Sequence, residues 1–274
     1  MRSPLPGRHG RLHLYGHSWG GTVATEYVLT RHAVGVRSVT LAGPFLSTSR
    51  GVGHGPRFGT VQVRCSGFLF DLDGVLVDSR VVVERTCRRW ALRHQLDPAS
   101  VLRLAHGRRT RDTVQAAAPH LETDREVAWL DAAELADVDG LSAVAGASQF
   151  LAALPASSWA VVTSCGRALA QLRLTSVGLP IPTILVTSED VSQGKPAPDG
   201  YQLGAKRLGL DPAACVVFED APAGIAAGRR AGARVIALTT MLAAKDLVGA
   251  DATIPDFTAI HVRQEHDAFV VTTQ

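Results

Sequence analysis

Apolar positions along this chain follow two alternating rhythms. Short, nearly continuous apolar runs occupy residues 61–70, 159–162, 182–186, 215–218, 234–238 and 251–254. Each is bounded by turn-forming or polar residues and reads as a buried strand. Between them, apolar residues return at helical spacing over 145–154, 166–175, 198–208 and 224–231. Strands alternating with helices predict a parallel sheet covered on both faces, an α/β fold of Rossmann-like type. One stretch breaks the alternation. Residues 81–94, 98–106, 110–118 and 125–136 all carry helical pattern with few strand signals. An all-helical insertion is therefore expected over 79–141, with the sheet core formed by 61–78 and 142–274.

Candidate chemistry sits where the strands end. The first run leads into Phe70-Asp71-Leu72-Asp73-Gly74, two carboxylates at i and i+2 followed by a glycine turn. On a continuing strand both would share one face. If the strand stops at Asp71, Asp73 falls in the turn that Gly74 allows. Such a pair can supply a nucleophile that doubles as a metal ligand, with an acid/base beside it. Taken alone, the run also fits a strand-end turn in which Asp caps the next helix. Strand 159–162 ends in Thr163-Ser164, and Gly194-Lys195-Pro196 sets a lysine ahead of a proline-opened helix. Strand 215–218 ends in Glu219-Asp220, then a small-residue turn. Parallel α/β sheets bind ligands at the carboxyl ends of their strands, where these groups lie.

In this order, the DxDG run, the Thr163-Ser164 hydroxyls, Lys195 and the Glu219-Asp220 pair resemble the four motifs of the haloacid dehalogenase superfamily, the aspartate-nucleophile phosphatases. The resemblance extends over residues 61–256. It implies that Asp71 is the nucleophile and forms an aspartyl-phosphate. Asp73 would protonate the leaving oxygen and later deprotonate water. Mg²⁺ would be held by the Asp71 carboxylate, the Asp73 backbone carbonyl and Asp220, with Glu219 acting directly or through water. Thr163 and the backbone N–H of Ser164 would bind phosphoryl oxygens, and Lys195 would neutralise both the phosphate and Asp71. A dehalogenase would lack the second acid of the DxD pair, and Asp73 is present.

The helical insertion resembles the cap of the subgroup containing β-phosphoglucomutase and many small sugar-phosphate phosphatases. There the loop matching residues 106–113 faces the substrate. Arg108, Arg109 and Thr110 are thus candidates for contacting a sugar hydroxyl or a second anion. The competing reading is an exposed helix start capped by Thr110, with solvated arginines. The mutase branch carries a His in its first cap helix, and the aligned position here is Val83, which favours hydrolysis. The expected activity is Mg²⁺-dependent hydrolysis of a small sugar or polyol phosphate. A phosphomutase and a phosphoglycolate-type phosphatase are the alternatives.

A second signature precedes these motifs. Gly16-His17-Ser18-Trp19-Gly20 spells G-x-S-x-G between a strand pattern and a helical one over 22–29, the context of a nucleophile elbow. Residues 11–46 resemble the elbow region of α/β-hydrolases, particularly proline iminopeptidases. A working triad needs an acid and a His from later strand ends, and the phosphatase motifs begin too soon to leave room for them. Residues 1–60 are therefore expected to be a truncated β-α-β remnant with a Gly/Arg-rich linker over 49–59. Ser18 is not expected to act as a nucleophile.

Composition narrows the picture further. The chain is 46% apolar but only 5% aromatic, which suits an Ala/Val/Leu-rich α/β protein. No apolar run approaches the roughly 20 residues of a membrane span, and residues 1–11 lack the apolar core of a secretory signal. Cys65, Cys87, Cys165 and Cys215 are scattered without CxxC spacing. That argues against a zinc site or disulfide framework and makes a reducing cytoplasm the default. The net charge of +3 hides an asymmetry, since residues 1–66 carry eight arginines against one acid, Glu26. The arginines are dispersed and lack an aromatic platform, and the phosphatase portion is mildly acidic. A small phosphorylated metabolite is therefore the expected partner, with no nucleic acid and no membrane. Oligomeric state is not readable from the pattern.

Overall fold

The computed structural model describes residues 61–273. The Ser18 elbow and the remnant expected over 1–60 lie outside the described residues.

The apolar run at 61–70 is two strands rather than one. β1 (Gln62–Cys65) and β2 (Gly67–Phe70) are separated at Ser66, whose N–H donates to Ala214 O at 2.7 Å. β1 turns away to another sheet, and every residue of β2 is buried. The chain then forms β3 (Val77–Asp78), four helices and β4 (Ser142–Ala143), and β3 and β4 close an antiparallel ribbon under the inserted helices. The helices are α1 (Arg80–Arg93), α2 (Pro98–Ala105), α3 (Thr110–Ala117) and α4 (Thr123–Leu135).

Local chemistry explains several of their ends. Asp97 caps α2 by accepting from Ser100 N at 3.0 Å, with Pro98 in the first turn, where a missing N–H costs nothing. Glu122 caps α4 by accepting from Arg125 N at 2.7 Å, and Asp124 and Glu126 suit its positive end. The insertion has its own apolar cluster, built on Trp90, Val101, Val114 and Leu130. Trp90 is fully buried and its indole N–H donates to Glu126 Oε2 at 2.9 Å.

Beyond the ribbon, strands and helices alternate as the pattern predicts. The elements are α5 (Ala147–Ala152), β5 (Trp159–Val162), α6 (Arg167–Ser176), β6 (Leu185–Val186), α7 (Asp199–Leu208), β7 (Cys215–Glu219), α8 (Pro222–Ala231), β8 (Arg234–Leu238) and β9 (Ala252–Ile254). The strand expected over 182–186 shrinks to the two residues that pair with β5. The parallel sheet runs β6-β5-β2-β7-β8-β9. From β2 the chain builds outward to β5 and β6, then returns to add β7, β8 and β9 on the other side. Chain direction therefore switches between β2 and β7, where such sheets open a crevice.

Both sheet faces are covered. On one, Phe68, Phe70, Phe150 and Phe218 pack under α5 and α6, with the Phe70 and Phe218 rings stacked at 5.0 Å. On the other, Leu69, Val217, Tyr201 and Ile225 pack under α7 and α8. An unanticipated hairpin, β10 (Ile260–Glu265) and β11 (Ala268–Thr273), pairs with β1 and adds Phe269 and Val271 to the aromatic core. No helix among the described residues is long and apolar enough to cross a membrane.

Candidate active site

The ends of β2 and β7 bring three carboxylates together at the switch point. Asp71 follows β2 directly, and its N–H donates to Phe218 O at 3.0 Å, as though extending the ladder. Glu219 ends β7 and Asp220 follows it. All three acids are buried, and their oxygens gather within 4.8 Å of one another. Two glycines make room for them. Gly74 adopts φ +76°, and a Cβ there would collide with Asp220 Oδ2. At Gly224, in the first turn of α8, a Cβ would overlap the Glu219 carboxylate.

Lys195 reaches into this cluster from the loop before α7. Its Nζ lies 2.7 Å from Asp71 Oδ1 and 2.6 Å from Glu219 Oε1. Burial works against the lysine's charge, but the two carboxylates outweigh it and raise its pKa. Burial raises Asp71 to about 7; Lys195 opposes the rise, and Glu219 and Asp73 add to it. Asp220 is also raised well above the ordinary carboxylate range, by burial and then by Glu219 and Asp71.

The two acids of the Glu-Asp pair differ in their partners. Glu219 Oε1 also accepts from the Tyr201 hydroxyl at 2.6 Å, and Oε2 accepts from the N–H groups of Asp220 and Ala221. Both oxygens are thus engaged by protein groups. Asp220 instead lines the cavity beside Asp71. Three buried carboxylates facing one lysine leave a negative excess that a hard divalent cation would balance. Oxygen donors of this kind fit Mg²⁺.

A cavity of about 110 Å³ lies between this cluster and the helical insertion. Thr163 and Ser164, at the end of β5, line its core side. Cys165 N donates to Thr163 Oγ1 at 3.2 Å, and Ser164 Oγ donates to Gly107 O of the insertion loop at 3.1 Å. Asp73 lies in the turn beyond β2, with Oδ1 accepting from Ser79 Oγ at 2.7 Å and Oδ2 from Arg173 Nη1 at 2.6 Å.

Arg108 and Thr110 line the insertion side. Thr110 Oγ1 donates to Asp131 Oδ1 at 3.4 Å. Arg109 does not line this cavity; it lines a smaller adjoining pocket with Thr163, Ser164 and Lys195. Its guanidinium is taken by Asp112, three residues on, at 2.8 Å, and by Ser192 O at 3.0 Å. It packs so closely on Gly194 that a Cβ there would lie 2.5 Å from Arg109 Nε. Arg109 therefore ties the insertion to the Lys195 loop. Val83, an aliphatic residue, is among the lining residues.

Sequence reasoning missed Arg173 and Glu134 in the cavity wall, and gave no role to His106 within the 106–113 loop. His106 Nε2 is buried without a hydrogen-bond partner, and burial lowers the ring's pKa. Arg173 and Glu134 come from helices whose pattern gives no sign of the cavity.

Comparison with known proteins agrees with this geometry. A hydrolase family model, described as haloacid dehalogenase-like hydrolase, matches residues 65–232. Hexitol phosphatase A of Escherichia coli is 44% identical over 181 residues, covering 64% of this chain and 84% of that protein. Glycerol-1-phosphate phosphohydrolase 2 of Saccharomyces cerevisiae is 34% identical over 195 residues, 66% of this chain and 77% of that one. Among solved structures, a hydrolase from Pseudomonas syringae superposes with a TM-score of 0.60 at 27% identity, covering 70% of this chain and 93% of that chain.

Proposed function

The chain belongs to the haloacid dehalogenase-like hydrolases and is a phosphoric monoester hydrolase, and on that premise we propose that it hydrolyses a small sugar or polyol phosphate through a phosphorylated Asp71. One observation carries this reading: Asp71 is buried at the switch point with a lysine at 2.7 Å and two further carboxylates around it. A bare carboxylate so placed would repel a phosphate dianion. Lys195 offsets part of that repulsion, and Thr163 and the Ser164 N–H offer hydrogen bonds to phosphoryl oxygens.

Asp71 attacks phosphorus, and the bond to the leaving oxygen breaks with its electron pair going to that oxygen. Asp73 gives the oxygen its proton. Water then attacks the phosphoryl group and yields a proton to Asp73, and the electron pair of the acyl phosphate bond returns to Asp71. Mg²⁺ bound by the Asp71 carboxylate, the Asp73 backbone carbonyl and Asp220 would supply Lewis-acid neutralisation of the phosphoryl charge. Glu219 supports this assembly from behind by holding Lys195.

The cavity favours a hydroxylated leaving group. Thr110 and Arg108 offer polar contacts to hydroxyls. Val83 weighs against mutase chemistry.

The test is phosphate release from hexitol, glycerol, sugar and glycolate phosphates, with Mg²⁺ and with EDTA. Mg²⁺-dependent turnover of polyol or sugar esters is expected, and Asp71→Asn should lose it by about 10⁴-fold or more. Turnover indifferent to EDTA or to Asp71→Asn would overturn the reading.

A further inference from the structure

Arg173 is the one arginine among the described residues that is buried, at 3% exposure. It sits in α6, on the core side of the cavity. Its fork joins two carboxylates from opposite walls: Nη1 donates to Asp73 Oδ2 at 2.6 Å, and Nη2 donates to Glu134 Oε2 at 2.6 Å. Asp73 belongs to the turn after β2, whereas Glu134 lies in the last turn of α4, in the insertion. Ser79 holds the other oxygen of Asp73.

A guanidinium is planar, so fixing one of its edges fixes the direction of the other. A buried ion pair is a weak contributor to stability compared with well-packed apolar groups. Stability alone therefore gives little reason to place charges here. Their position in the cavity wall gives a better one.

We propose that Arg173 and Glu134 are positioning residues: Glu134 orients Arg173, and Arg173 in turn aims the Asp73 carboxyl at the leaving oxygen. The inference rests on the phosphatase reading above. It adds that the proton-transfer step depends on a carboxylate supplied by the insertion. Neither Arg173 nor Glu134 needs to touch the phosphoryl group in this role.

The test compares two esters in single-turnover experiments with the full chain. An alkyl phosphate, such as a hexitol phosphate, needs a proton on its leaving oxygen. 4-Nitrophenyl phosphate releases a stable anion and does not. Arg173→Lys and Glu134→Gln should slow alkyl cleavage by about 100-fold, the scale of general acid catalysis. Both should keep a stoichiometric nitrophenolate burst slowed no more than a few-fold. The double variant should be little slower than either single variant, because the two residues act in series. If Arg173→Lys does not fold, the same comparison in Glu134→Gln decides. Equal slowing of both esters, or of neither, would overturn the inference and leave the pair a structural bridge. A parent protein that cleaves neither ester, or an Asp71→Asn variant that keeps the nitrophenolate burst, would instead overturn the phosphatase reading and the inference with it.

Discussion

Glu219 anchors Lys195, with Oε1 at 2.6 Å from Nζ and its other oxygen held by backbone N–H groups. The adjacent Asp220 faces the cavity instead. Glu219→Gln should therefore lower the turnover rate by about 10- to 100-fold, the scale of an outer-shell loss, while shifting the Mg²⁺ concentration for half-maximal rate only slightly. Asp220→Asn should shift that concentration far more. Mg²⁺ titration of both variants checks this; equal shifts would contradict the division of roles.

Gly224 separates two opposing effects. Alanine in place of glycine inside a helix is ordinarily stabilising by about 1 kcal/mol. Here the new methyl would overlap the Glu219 carboxylate, and the neighbours it would displace are buried and paired. The collision should outweigh the propensity gain. Gly224→Ala is expected to lower both thermal stability and turnover, measured by the unfolding midpoint and steady-state kinetics. A stabilised, fully active variant would show that Glu219 can move without consequence.

The metal-free protein should have an unusual pH dependence. Burial, helped by Glu219 and opposed by Lys195, raises the Asp71 pKa from 3.8 to about 7. Between those values the folded state keeps a proton that the unfolded chain has released. The contribution of Asp71 to stability is therefore largest at the acid end and is lost as pH rises through that window. Urea unfolding in EDTA at about pH 5 and about pH 8 should show a smaller loss in Asp71→Asn than in the parent. An equal loss in both would mean Asp71 ionises normally in the folded state.

The sheet and the motif ends were readable because strands buried on both faces leave continuous apolar runs, and their polar ends stand out against them. Asp71, Thr163 and Glu219 follow or end such runs. Arg173 and Glu134 offered no such contrast. Each reads as one more charge on a helix, and Arg173 gains its meaning from Asp73, 100 residues earlier in the chain. Arg109 is a related case: the sequence marked only a basic loop, and the pairing of its guanidinium with Asp112 and the Ser192 carbonyl emerges only in the fold. The β10–β11 hairpin went unread because His261, Arg263, Gln264 and Glu265 dilute its apolar positions, and only pairing with β1 buries the remainder.

The central claim is that Asp71 itself carries the phosphoryl group. The direct measurement is to quench the enzyme during turnover of a polyol phosphate, reduce it with borohydride, and map the product by peptide mass spectrometry. Reduction of an aspartyl-phosphate yields homoserine, and this account predicts homoserine at position 71 alone, absent without substrate. Homoserine elsewhere, or turnover with position 71 unmodified under conditions that trap the intermediate, would contradict it.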